Sequence, residues 1–179
     1  MKSTQYLFAL NFVLILVLSA CAPLARYQRF EKPYDVHQKA WDVATLVNEY
    51  RVRNGLLPLE WDPNLYRIAL QQTEDMRDRN FISHVNPDGE TPFDRLKNFY
   101  IFYYRSAENL AVGQTSPEVV LSNWIRSPAH KRNLLSSLYV YHAVAYDSLK
   151  NNWTHLFIDY GHAVFFNNHY GNGYHYFFQ

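Results

Sequence analysis

The sequence predicts an α+β fold, a three-layer α/β/α sandwich with a central antiparallel sheet. Three observations lead there. Acid-proline or hydroxyl-proline pairs, which favour helix starts, recur at Asp62-Pro63, Thr91-Pro92, Ser116-Pro117 and Ser127-Pro128. From Leu138 onward the residue types turn to strand formers. The last strand run, Asn152 to Phe166, is apolar on both parities, with Trp153 and Phe157 on one and Leu156 and Ile158 on the other, so it needs a layer over each face. At 179 residues, 48% hydrophobic and 17% aromatic, the chain is long enough to bury one core. Its single cysteine, Cys21, excludes an intramolecular disulfide, and packing alone must hold the domain. Basic and acidic residues are interspersed and leave a formal charge of +1, which gives no electrostatic footprint for nucleic acid.

In chain order, the first segment, 1–20, reads as an export signal. Lys2 supplies the positive end, Tyr6 to Ala20 is apolar except for Asn11, and the run falls short of the ~20 residues that a spanning helix needs. It closes on Leu18-Ser19-Ala20-Cys21, which resembles a bacterial lipobox: small residues at 19 and 20 suit the peptidase, and only a thiol at 21 can be lipidated. That resemblance implies a mature chain anchored through lipid at Cys21 by palmitate-type chains; the plainer alternative is an ordinary secretory signal followed by a stray cysteine. Residues 21–35, with Pro23 and Pro33 among mixed charges, read as a tether.

The domain is expected over 36–166. Trp41, Ala44, Val47 and Tyr50, with Ala40 and Val43, recur at helical spacing up to a stop at Gly55. Asp62-Pro63 opens a second helix carrying Leu65, Ala69, Gln72 and Met76, and Ser116-Pro117 opens one carrying Val119, Val120 and Trp124. Pro128 bars its predecessor from helical geometry, so Ser127 is expected to be a corner and cap between two helices. Tyr139 to Asp147 and Asn152 to Phe166 flank a polar connection of hairpin length, Ser148 to Asn151. Residues 167–179, aromatic and nearly uncharged, are expected as an extra strand or a tail.

Three places set ionisable groups beside turn residues: His84 before Asn86-Pro87-Asp88-Gly89, Glu108 in what reads as an apolar-flanked loop, and His130 at a helix start. Two imidazoles and a carboxylate suit a divalent metal site or general acid–base chemistry. Each also has a plainer reading. His84 could serve the local turn, Glu108 could cap or pair with Arg105, and His130 beside Lys131 and Arg132 could lie on a solvated face. His142 and His155 fall on facing strands and read as sheet residues that could neighbour one another, subject to register.

Taken in order, "LVNEYRVRNGLLPLEWDPNL", "FISHVNPDGETPFDRL", "AENLAVGQ", "VLSNWIRSPAHKRNLL" and "NNWTHLFIDYG" resemble the bacterial branch of the CAP superfamily, the SCP/PR-1-like or cysteine-rich secretory protein family. The resemblance implies the α/β/α sandwich and a central cleft lined in many members by two histidines and two glutamates that can bind a divalent cation. His84 matches the first histidine and Glu108 the glutamate of the Gly-Glu-Asn motif. Ser127 stands where the second glutamate would be, Asn152 where the second histidine would be, and His155 where a glutamine follows. His130 is then expected to restore one imidazole, giving a cleft of His84, Glu108, Ser127, His130, Asn152 and His155 and a zinc set of His84, Glu108 and His130.

The function expected from this is a lipid-anchored envelope module, on the outer membrane where one exists, that binds a lipid or sterol, a polysaccharide or a protein. Two alternatives stand beside it: a metal-dependent hydrolase using His84, Glu108 and His130, and a structural envelope protein without ligand.

Overall fold

A computed structural model of the chain describes residues 31–161. The expected export signal, Cys21, most of the expected tether and the aromatic C-terminal segment lie outside the described residues. All the elements below belong to the unit that begins at Asp35.

Helix α1 spans Gln38–Arg53. Its N-terminus is capped by the His37 ring, whose Nδ1 accepts from the Lys39 amide at 3.1 Å. Its end is set by Gly55 at φ +76°, with the Gly55 amide on the Val52 carbonyl and the Leu56 amide on the Arg51 carbonyl, a Schellman pattern that only a residue tolerant of positive φ completes without strain. The buried face is Ala40, Val43, Ala44 and Val47, continued by Asn48 and Arg51 rather than by Tyr50, which is half-buried. Asn48 bonds the Leu59 amide and carbonyl at 2.8 and 2.9 Å, which draws the following segment into the two-residue strand β1, Glu60–Trp61.

Proline-marked helix starts lie where the sequence puts them. Helix α2, Pro63–Asp78, is capped by Asp62, whose Oδ1 accepts from the amides of Asn64 and Leu65. Helix α3, Pro92–Asn98, opens with a reciprocal box between Thr91 and Asp94. Helix α4, Pro117–Arg126, is capped by Ser116, and helix α5, Pro128–Leu134, follows at once. Ser127 is the corner between them, but its hydroxyl makes no cap bond, so the expected cap is corrected to a bend set by Pro128 alone.

Strands β2 (Arg105–Val112), β3 (Tyr141–Asp147) and β4 (Asn152–Asp159) complete a four-stranded sheet in the order β1-β3-β4-β2. β3–β4 and β4–β2 are antiparallel; β1 joins β3 in parallel, so the sheet is mixed at that edge. Glu108, expected in a loop, lies in β2 opposite Leu156. A bond of 2.8 Å between Thr73 of α2 and Thr154 of β4 places α2 on one face, together with Leu156 and, through the register, Glu108 and Leu110. Trp153, His155 and Phe157 point to the other face, where α4 brings Trp124 over His155 with ring centroids 5.3 Å apart. Both faces of β4 are buried, and this gives the three layers.

Candidate functional site

The site is built around Glu108, whose side chain is 1% exposed although it carries an ionisable group. Burying a carboxylate demands compensation. Two groups supply it. Arg95 of α3, itself 3% exposed, donates Nη2 to Oε2 at 2.7 Å, and His84 places Nδ1 2.8 Å from Oε1. Arg95 also donates Nη1 to the carbonyls of His84 and Glu90, so one guanidinium ties the start of the Asn86-Pro87-Asp88-Gly89 turn to β2. That turn is made by Asn86, whose Oδ1 accepts from the amides of Asp88 and Glu90.

A carboxylate oxygen accepts, so the hydrogen lies on His84 Nδ1, and Nε2 is the nitrogen left for a ligand. The His84 side chain is 52% exposed. His130 approaches from the other side of β2, which is the last strand of the sheet. Asn109 donates to the His130 carbonyl at 3.2 Å and accepts from Asn133 at 2.8 Å, fixing α5 to the strand. Burial holds the His130 imidazole below its ordinary value, and the charge of His84 lowers it further. At neutral pH the site therefore carries His130 as a neutral ring near the exposed His84.

His84 and Glu108 are thus brought into contact, and His130 is brought within electrostatic reach of His84. Ser127 lies at the α4–α5 corner, half-buried. The other two expected cleft residues lie elsewhere: His155 has no exposure and points to the face opposite Glu108, and Asn152 is buried at the far end of β4, opposite Val112. A cavity of about 280 Å3 opens beside the pair rather than over it, between α2 and the turn, lined by Asp75, Asp78, Asp88, Glu90 and Arg95 among others. None of the six expected cleft residues lines it.

The residue that the sequence reading missed is Arg95, which stands in "TPFDRL" two positions after an exposed Phe93 with nothing local to mark it as buried. The signal was indirect: a glutamate between apolar neighbours needs a cationic partner, and Arg105 was the nearer candidate. Arg105 instead pairs with Asp159 across the strands at 3.4 Å.

The expected zinc set does not fit this arrangement. Both Glu108 oxygens are engaged, one by a guanidinium whose charge would repel a cation. Among the described residues no group of three or more His, Cys, Asp or Glu could hold a metal ion.

Comparison with known proteins agrees with the fold and the motifs. Over 116 residues the chain is 37% identical to the uncharacterized protein YkwD of Bacillus subtilis, covering 65% of this chain and 45% of that one. It is 30% identical over 125 residues to the uncharacterized membrane protein YlbC of the same organism, covering 65% and 36%. The chain therefore spans less than half the length of these relatives. Among solved structures, an extracellular protein with an SCP domain from Bacillus anthracis matches with TM-score 0.65 at 28% identity, over 68% of this chain and 40% of that one. An outer surface protein of Borrelia burgdorferi shares the fold, with TM-score 0.66 at 21% identity, over 74% of this chain and 100% of that one. The sequence model of the cysteine-rich secretory protein family, CAP, matches residues 44–165, and the chain belongs to that family.

Proposed function

We propose that the chain is an exported, lipid-anchored envelope protein that uses His84, positioned by Glu108 and flanked by His130, to bind a hydroxyl-bearing ligand, foremost an envelope polysaccharide. The single observation that carries the ligand reading is the His84–Glu108 contact of 2.8 Å. It fixes the tautomer, and the ring so held, when uncharged, offers an Nε2 lone pair at the surface to a donor such as a sugar hydroxyl. Export is supported by the apolar leader ending in Leu18-Ser19-Ala20-Cys21 and by the extracellular and surface description of two similar structures. No helix among the described residues is long and apolar enough to cross a membrane, and the attachment proposed is through lipid at Cys21.

The test has two arms. Cells fed an alkyne fatty acid should label the wild-type chain and leave Cys21→Ser unlabelled; equal labelling removes the anchor. Purified chain should co-sediment with insoluble envelope polysaccharide, and His84→Ala should lose that binding while melting normally. Retention by the variant would remove the site assignment.

A further inference from the structure

We propose that the cavity between α2 and the turn of Asn86 to Glu90 is a subsite for an amino sugar, a monosaccharide that carries a protonated amine beside free hydroxyls. Charge selects the amine. The cavity, of about 280 Å3, is lined by five carboxylates, Glu74, Asp75, Asp78, Asp88 and Glu90, against two guanidiniums, Arg79 and Arg95. Arg95 is balanced by the buried Glu108, Asp78 is paired with Arg77, and Arg79 is shared between Asp75 and Asp88. The Glu90 carboxylate accepts from the neutral amides of Asn86 and Asn98. Glu74, Glu90 and one of Asp75 and Asp88 are therefore in excess, and the wall attracts a cation. Among the described residues these carboxylates do not gather into a group of three that could hold a metal ion. Charge spread along a wall in this way suits an ammonium carried by a ligand.

Two buried polar atoms select the hydroxyls. Gln72 of α2, 1% exposed, donates its amide nitrogen to the Ser83 carbonyl at 2.9 Å. A carbonyl only accepts, so the amide is fixed that way round, and its Oε1 lies buried without a partner among the described residues. Arg95, 3% exposed, commits Nη1 to the carbonyls of His84 and Glu90 and Nη2 to Glu108, while its Nε–H has no partner among the described residues. Both side chains line the cavity, one short of a donor and the other short of an acceptor. Groups left unmet in this way are costly, so the wall favours an occupant that meets both. A simple amine offers only donors and would leave the Arg95 Nε–H unmet, whereas an amino sugar brings hydroxyls, which donate and accept, together with the cation. The volume suits one sugar unit rather than a chain. Arg95 holds the carboxylate behind His84 and also lines the cavity, so the two places adjoin. The proposal rests on the polysaccharide reading for the polymer alone, because the free monosaccharide tests the cavity by itself.

The full chain is melted in slightly acid buffer of matched ionic strength with glucosamine, N-acetylglucosamine or glucose, each at about 100 mM. With a dissociation constant of about 1 mM, ordinary for so small a ligand, glucosamine should raise the melting temperature by roughly 5 to 10 °C. The other two sugars carry no charge and should raise it by less than about half as much. Gln72→Met, which removes the unmet acceptor, should weaken glucosamine binding about tenfold, and Glu74→Gln, at an exposed position, about two- to fivefold. No response to glucosamine overturns the proposal, as does an equal response to N-acetylglucosamine or an affinity unchanged in both variants. Should Gln72→Met not fold, Glu74→Gln decides alone, and an unchanged affinity there overturns it. Polymer retention separates the two readings: retention without a glucosamine response removes the cavity and leaves the His84 assignment, and a glucosamine response without retention does the reverse.

Discussion

His142 of β3 and His155 of β4 share a hydrogen bond of 3.1 Å between Nδ1 of the first and Nε2 of the second, and their exposures are 1% and zero. One ring donates and the other accepts, which excludes a charge on both, and burial disfavours a charge on either. Burial pushes His142 down to about 3, and Arg51 adds to this; His155 is held well below its ordinary value by burial, then by His142 and Arg51.

The pH dependence follows with its sign. Between the unfolded value near 6.5 and the folded value, the unfolded chain binds more protons than the folded one, so stability falls as pH falls. The full contribution is present above about 6.5 and is lost progressively down to about 3 for His142, at about 1.4 kcal/mol per pH unit for each depressed histidine. Urea midpoints measured from pH 7.5 to 5 should therefore decline steeply, and His142→Leu should flatten the slope. A variant slope equal to that of wild type would show that other groups govern acid sensitivity.

Arg51 is the second buried cation of the domain, 2% exposed, and its guanidinium is bonded to backbone carbonyls: Leu57 through Nε and Leu134 and Ser136 through Nη1. Burial lowers it to about 10. These carbonyls include the C-terminal end of α5, where a positive charge is favoured by the helix dipole. Arg51→Met should cost about 2 to 4 kcal/mol, because three carbonyls lose a charged donor at once. It should also shallow the acid slope, since Arg51 is one cause of the low values of both histidines. Unfolding in urea at pH 7.5 and 5.5 checks both effects.

Trp124 joins α4 to the sheet in two ways: its ring packs over His155, and its Nε1 donates to the Leu110 carbonyl of β2 at 3.0 Å. Trp124→Phe keeps most of the apolar contact and removes the bond, so a loss of about 1 to 2 kcal/mol is expected, and Trp124→Ala should lose about 3 to 5 kcal/mol. Equal losses in the two variants would mean that the bond, not the packing, holds the helix.

The helices were legible because their starting chemistry is local. Asp62, Thr91 and Ser116 each bond an amide two or three residues away, a device that a sequence displays directly. Strand β1 was not, since two residues have no period to read and the parallel pairing to β3 depends on Asn48 of α1. Within the site, His84 and Glu108 could be matched by motif, but the side of the sheet could not. His155 falls away from Glu108 because β2 and β4 pair Glu108 with Leu156, and a shift of one residue would have reversed the result. Arg95 was hidden for a similar reason: its partner lies thirteen residues on, across a change from helix to strand.

That hidden partner separates binding from folding at this site. His84 is half-exposed and its loss leaves Glu108 still paired with Arg95, so His84→Ala should change stability by no more than about 0.5 to 1 kcal/mol. Glu108→Ala instead leaves Arg95 buried with no counter-charge and should cost about 3 to 5 kcal/mol. Glu108→Gln, which keeps one acceptor oxygen for Arg95 and turns the other into an NH2 donor, should fall between them. Thermal and urea unfolding of the three variants under one set of conditions gives the order directly. If Glu108→Ala proved as mild as His84→Ala, the guanidinium would have to find water or another acceptor on losing its carboxylate, and the ion pair could not be what fixes the turn to the strand. If the expected order is found, any effect of His84→Ala on ligand retention can be read as binding, because the fold beneath it is held by Arg95 and Glu108.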